Sequence, residues 1–209
     1  MKRIAQNNAD RILQLARDLG VLRARDLAQH GIAREYLTRL VRAGLLERTG
    51  RGIYILPDTD LTEHHSLAEA AKRFPAGIVC LLSALRFHDL TTQAPFEVWL
   101  ALPPSARAPR AGWPPLRVVR FSGSALTEGV EEHVIERARV RVYSPAKTVA
   151  DCFKYRNKIG LDVALEALRE TWRARRATMD ELWRYAEVCR VTTVMRPYLE
   201  SLITLEGLA

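Results

Sequence analysis

Between Arg23 and Leu56 the chain sets a short helical segment, a glycine turn, a second helix and a glycine-rich hairpin in close succession, and few folds accommodate that order. Ala43-Gly44 ends the second helix as a left-handed cap would, residues 45–48 extend, Thr49-Gly50-Arg51-Gly52 turns, and residues 53–56 extend back. Upstream, residues 25–29 form the preceding helix and His30-Gly31-Ile32 its turn. Ile12, Leu15, Ala16 and Leu19 recur at helical spacing on an earlier helix. Three helices followed by a two-stranded hairpin make a winged helix-turn-helix, complete by residue 56.

The helix before the hairpin sorts its residues by face. Leu37, Leu40, Val41 and Gly44 share one side, which leaves Arg34, Glu35, Thr38, Arg39 and Arg42 on the other. A basic, polar face on the second helix of such a motif is what a reader of the DNA major groove requires. Charge is distributed accordingly. Residues 1–56 hold 11 Lys+Arg against 5 Asp+Glu, a net of +6, whereas the other 153 residues hold 21 against 19, a net of +2, out of +8 for the whole chain. Such a domain steers towards polyanions, and its affinity should fall steeply with salt as counterions are released.

Arg39 and Thr38 are placed for base contacts, with Arg34, Glu35 and Arg42 around them. Arg48 and Arg51 of the hairpin are placed on phosphate or in the minor groove, and Arg23 and Arg25 complete the expected DNA-binding set. Tyr36 is assigned to the core rather than to contact.

At 209 residues, with 48% hydrophobic and 27% charged side chains, the chain has the length of two small folded domains. No apolar run approaches the ~20 residues needed to cross a bilayer, and Met1-Lys2-Arg3 followed by Gln6-Asn7-Asn8 lacks the apolar core of a signal peptide, so a cytoplasmic location without membrane association is expected. Cys80, Cys152 and Cys189 are odd in number and lie in apolar surroundings, which argues for reduced core thiols rather than a disulfide framework or a zinc site.

Residues 57–60 are a polar break, and the domain boundary is set there: a winged helix over residues 1–56 and a mixed α/β domain over residues 57–209. In the second domain, Thr62 or a Ser66–Glu69 capping box starts a helix that ends before Pro75. Residues 78–90 form a buried apolar element, helical from about Leu81, and residues 96–102, 116–121, 132–136 and 139–143 read as strands. Pro103, Pro104, Pro109, Pro114 and Pro115, with Arg107 and Arg110, make a stiff loop between two of them. Ser144-Pro145 caps and opens a helix, and three more follow over residues 161–173, 178–189 and 194–205, the last interrupted near Pro197. The fold class is therefore α+β, with a small sheet and a helical C-terminal half behind the winged helix.

Enzymatic readings find little support. Asp89 with Glu97, or Glu128, Glu131 and Glu132, are the carboxylates that would hold Mg²⁺, but no companion Lys or glycine-rich phosphate loop stands at useful spacing. His64-His65 cannot share a helix face, and His88-Asp89 has no nucleophile nearby, so no catalytic residue, metal site or cofactor is expected. Arg169, Arg173 and Arg176, with Arg175 and Arg184 nearby, form a candidate second basic surface, a solvated helix face being the plainer alternative.

The chain resembles the AbiEi-type antitoxins of bacterial type IV toxin–antitoxin (abortive infection) systems. The resemblance rests on Arg25-Asp26-Leu27-Ala28, the run from Tyr36 to Leu46, Gly50-Arg51-Gly52-Ile53-Tyr54, Ser83-Ala84-Leu85 and, most specifically, Ser144-Pro145-Ala146-Lys147-Thr148-Val149-Ala150-Asp151. It implies a repressor of its own operon that binds inverted repeats in double-stranded promoter DNA. It also implies a nucleotidyltransferase-like toxin that is countered without a stable complex, with the antitoxic activity in the second domain. A monomer that pairs on the DNA is expected. A winged-helix regulator with an unrelated effector-binding C-terminal domain is the alternative.

Overall fold

The computed structural model describes residues 2–19, 22–57, 64–93, 95–107 and 114–206, with the side chains of 2–7 and 203–206 left aside. Two compact units are present. The first comprises Met1–Ala76, Ala108–Leu116 and Glu132–Val140; the second comprises Gly77–Arg107, Arg117–Glu131 and Arg141–Ala209. The expected division at residue 56 follows the winged-helix content of the sequence. The first unit instead runs on to Ala76 and takes in two later segments.

In the first unit, α1 (Lys2–Leu19) is followed by β1 (Leu22–Arg23), a 3-10 helix (Asp26–His30), α2 (Glu35–Arg42), β2 (Glu47–Gly50), β3 (Ile53–Ile55) and α3 (His65–Arg73). The sheet order is β1-β3-β2, both pairings antiparallel, which is winged-helix topology with β1 as the strand that the sequence did not disclose. Ile12, Ala16, Leu22, Leu27, Ile32, Leu37, Leu40 and Leu46 close the core, each leucine and isoleucine worth roughly 1.5–3 kcal/mol on full burial.

Three details depart from expectation. The segment after Arg25 is a 3-10 helix rather than an α-helix, because Ala28 N–H returns to the Arg25 carbonyl at 3.1 Å and Gly31, at φ +64°, stops it. Leu46 is buried in the core ahead of β2, and an irregularity between Arg48 and Gly50 moves the tight turn to Arg51-Gly52. No Ser66–Glu69 capping box forms: α3 starts after His64 without a side-chain cap, and Glu69 is buried. Thr62 lies outside the described residues.

The second unit is built on a five-stranded sheet of order β6-β5-β4-β8-β7, with β4 antiparallel to β5 and parallel to β8. Its elements in chain order are β4 (Ile78–Val79), α4 (Leu81–Phe87), β5 (Val98–Leu102), β6 (Leu116–Arg120), α5 (Ser124–Thr127), β7 (Val130–Ile135), β8 (Ala138–Tyr143), α6 (Pro145–Lys154), α7 (Arg156–Ile159), α8 (Leu161–Arg173), α9 (Met179–Val188) and α10 (Thr192–Glu206). The turn end of the β7–β8 hairpin belongs to the first unit. Of the proline loop, residues 108–113 lie outside the described set.

Helix α6 is the axis of this unit, with Ala146 through Phe153 all buried against α4, α8 and α9. Lys147 and Asp151 lie one turn apart on it, 0% and 2% exposed, and the ammonium reaches both carboxylate oxygens at 2.7 Å. The same ammonium sits 4.0 Å from the Tyr143 ring centroid and 4.9 Å from that of Phe121. Cys189 donates its thiol to Asp151 at 3.2 Å. Burial pushes the Asp151 carboxyl up to about 6 even against Lys147, and burial likewise raises the Cys80, Cys152 and Cys189 thiols. All three cysteines are free and buried, as expected.

The Ser144–Asp151 motif thus has a structural explanation. Pro145 occupies the first turn, Thr148 donates to the Tyr143 carbonyl at 3.2 Å, and Lys147 and Asp151 make the internal pair. His88 Nε2 donates to that same carbonyl at 2.8 Å. The expected serine cap is not made: the Ser144 hydroxyl is buried without a hydrogen-bond partner among the described residues. Gly129 leaves room for the lysine, since a Cβ there would stand 2.7 Å from the Lys147 Cβ, and its φ is +71°.

The capping box of Thr178 and Glu181 forms as expected, and α10 runs through Pro197 without interruption. Thr193 and Pro197 are both exposed, so the carbonyl that loses its N–H partner lies on the solvated side.

Removing the lysine should leave a carboxylate uncompensated in the core. Lys147→Ala is expected to lower the unfolding free energy by roughly 3–5 kcal/mol, whereas Lys147→Met combined with Asp151→Leu should recover most of that loss. Urea denaturation of the two variants checks both. The three thiols should react with a disulfide reagent only after unfolding.

Candidate nucleic-acid interface

Helix α2 presents the face that the sequence assigns to DNA. Leu37 and Leu40 are buried, while Arg34, Glu35, Thr38, Arg39 and Arg42 are all exposed. Gly44, at φ +68°, ends the helix, its N–H bonding to the Val41 carbonyl at 3.0 Å. Tyr36 is half-buried against the winged-helix core, and the Arg39 guanidinium lies 5.5 Å from its ring centroid. Glu35 occupies the first turn, where the helix dipole favours a negative side chain.

The wing adds Arg48 and Arg51, both exposed. Arg48 Nε donates to the Gly50 carbonyl at 3.1 Å, which lays this side chain along its own strand. Gly52 takes φ +75°, and its carbonyl accepts from Ala24 N–H at 2.8 Å, so the wing root is tied to the segment after β1.

A concavity of about 390 Å³ gathers much of this charge. Its wall contains Arg23, Arg25, Arg34, Arg51 and Arg73 around Gly52 and Ile53. Arginines gathered around one hollow make its wall cationic, which favours an anion there.

Arg73 is absent from the sequence-based set because it lies in α3, beyond the expected boundary, with no local pattern to single it out. It donates to the Pro114 carbonyl at 3.0 Å, its guanidinium is 5.4 Å from the Phe74 ring centroid, and burial lowers its pKa.

Arg23 is the most engaged of the five. It is only partly exposed, and its guanidinium is engaged by Asp26 at 3.1 Å and by the Lys72 carbonyl. Asp26 also accepts from the Arg23 backbone N–H at 2.9 Å. Arg25 reaches the same Lys72 carbonyl at 3.3 Å, so the two arginines satisfy the C-terminal end of α3. Arg23 therefore braces the concavity, and Arg25 stays exposed beside it.

Behind the wing, Thr49 donates to Glu69, and His65 Nδ1 lies 2.6 Å from Glu136. Burial raises the Glu69 pKa, with Thr49, His65 and Arg73 opposing the shift.

The other candidates separate. Arg169 and Arg173 are exposed on α8, but Arg173 pairs with Glu170 at 3.1 Å, and Arg176 lies past the helix end, off that face. Arg184 pairs with Glu128 at 3.0 Å. Among the proposed carboxylates, Asp89 lies 3.9 Å from Arg86 and Glu97 lies 3.6 Å from Arg117. Among the described residues, no group of three or more His, Cys, Asp or Glu side chains is placed to hold a metal ion, and no helix is long and apolar enough to cross a membrane.

Residues 10–57 match the family described as "Transcriptional regulator, AbiEi antitoxin". Over that stretch the first unit is similar to the regulator domain of AbiEi-type antitoxins. The match ends at the winged helix and leaves the second unit unassigned. In fold, the chain is similar to the crystal structure of RV2827C protein from Mycobacterium tuberculosis, with a TM-score of 0.61 and 18% identity over 87% of this chain and 71% of that one. No curated protein matches the chain.

The Asp26 brace can be tested apart from DNA. Asp26→Ala should lower stability by about 1–3 kcal/mol, since it removes the acceptor for Arg23 backbone and side chain together. Thermal unfolding of the variant measures this.

Proposed function

We propose that the chain is a DNA-binding autorepressor and the antitoxin of a type IV toxin–antitoxin system. In this reading the winged helix binds inverted repeats in its own promoter, and the chain counters a nucleotidyltransferase-like toxin without a stable complex. It works in the cytoplasm and has no enzymatic activity of its own. The observation that carries the DNA-binding part is the continuous cationic surface formed by the exposed face of α2 and the arginine-lined hollow at the wing root.

The two parts of that surface take different roles. Arg39 and Thr38, midway along α2, face base edges, and an arginine fork matches the O6 and N7 acceptors of guanine. Arg34 at the helix start, with Arg25, Arg51 and Arg73, meets phosphates. Arg42 and Arg48 extend the phosphate track at either side. The chain is a monomer in solution, and two copies meet on an inverted repeat.

A second reading is a winged-helix regulator whose second unit binds an effector. It draws on one feature, an open cavity beside Asp151 in that unit.

Gel shifts on the DNA upstream of the gene, titrated over salt against a scrambled fragment of equal length, test the repressor. Arg39→Ala should weaken operator binding by about 1–3 kcal/mol and leave scrambled DNA nearly unaffected, whereas Arg51→Ala should weaken both and reduce the salt slope by about 1. Equal losses on both DNAs for Arg39→Ala would remove its base-reading role. Growth rescue of cells that express the neighbouring toxin, with no co-purification of the two proteins, is the expected antitoxin result.

A further inference from the structure

The second unit contains a cavity of about 310 Å³ that the DNA-binding reading does not use. Three cations stand on its wall, Arg120, Lys154 and Arg190, all exposed. Arg120 Nη1 donates to the Pro103 carbonyl at 2.8 Å, which orients its guanidinium. Lys154 and Arg190 have no carboxylate partner among the described residues. The one carboxylate on the wall is Asp151, and Lys147 already neutralises it through two contacts of 2.7 Å. The cavity therefore offers a net positive wall to whatever enters.

Its remaining surface is of two kinds. Ser122 and Ser124 supply exposed hydroxyls, and Phe121 and Tyr155, with ring centroids 5.5 Å apart, supply aromatic surface, Tyr155 being the more exposed. Cations and hydroxyls at one place suit a phosphate, and an aromatic ring beside them suits a planar group. The volume lies at the small end of ligand pockets, which run from about 300 to 1,000 Å³.

The backbone at Arg190 resembles that at Arg175, which follows the Ala174 cap of α8 at φ +52°. Arg190 follows the Cys189 cap of α9 at φ +56°, with its N–H on the Glu187 carbonyl at 2.9 Å, the position where glycine normally ends a helix. Local structure alone favours glycine there. The chain keeps an arginine in a strained conformation at the cavity wall.

We propose that this cavity binds a small phosphate-bearing molecule with a planar ring, of the size of a nucleoside 5′-monophosphate. The phosphate is taken by Arg120, Lys154 and Arg190, and the ring lies against Tyr155. This site stands independently of the winged helix and of its DNA.

Calorimetric titration of the full chain with AMP, GMP, CMP and UMP, and with adenosine and inorganic phosphate, tests the proposal. At least one nucleotide should bind saturably, with adenosine and inorganic phosphate each roughly tenfold weaker or more. Arg190→Gly should weaken nucleotide binding by a similar factor while its thermal midpoint is unchanged or raised, because glycine relaxes the left-handed residue. Lys154→Glu should abolish binding. Arg51→Glu, in the arginine hollow of the first unit, should impair DNA binding and leave nucleotide binding intact, so the two readings fail separately. No saturable nucleotide binding, adenosine binding as tightly as its monophosphate, wild-type affinity in both Arg190→Gly and Lys154→Glu, or loss of binding in Arg51→Glu would each overturn it.

Discussion

A lysine and an aspartate sealed one turn apart inside a single helix are the fixed point of the second unit. The pair is almost wholly withdrawn from water, so each charge must be satisfied by the other and by what surrounds them: two aromatic rings beneath the ammonium and a thiol on the carboxylate. That requirement propagates outward. Gly129 lacks a side chain because the lysine stem fills the space a Cβ would take, and the Tyr143 carbonyl collects Thr148 and His88 where β8 gives way to α6. It also keeps a carboxylate on a cavity wall without making that wall acidic.

The first unit rests on a different balance, between like charges. Arginines from β1 and its following turn, the start of α2, the wing and α3 surround one hollow, and Arg23 among them is paired with a carboxylate, Asp26. Asp26 and the end of α3 brace that arginine, and Arg25 shares the Lys72 carbonyl with it. The fold thereby tolerates a local excess of positive charge whose natural complement is a phosphate backbone.

Much of this is legible in the order of residues alone. The spacing of Leu37 and Leu40 identifies both the buried and the exposed sides of α2, because a helix repeats every 3.6 residues whatever packs against it. Gly31, Gly44 and Gly52 mark turns correctly, since each has a positive φ. Thr178 and Glu181 declare their helix start by local hydrogen bonding alone. The departures share a cause. Ser66 and Ser144 also carry the local signature of a cap, but the surrounding core places Glu69 against Thr49 and buries the Ser144 hydroxyl without a hydrogen-bond partner among the described residues. The placement of Arg73 is not legible in this way, because it is set by Pro114, far away in sequence, and Arg23 is held both by nearby Asp26 and by the distant Lys72 carbonyl.

By itself, then, the sequence determined the winged-helix order, the basic face of α2 and the unpaired state of the cysteines, all consequences of periodicity, composition and turn chemistry. Only the tertiary structure decided that Lys147 would be an internal counter-charge instead of a surface cation, that Arg73 would join the wing-root hollow, and that Arg120, Lys154 and Arg190 would share one cavity. The physical reason is range. Helix faces and turns are settled by neighbours within a few residues, whereas burial, ion pairing and the convergence of charges are settled by elements that meet only when the chain has packed.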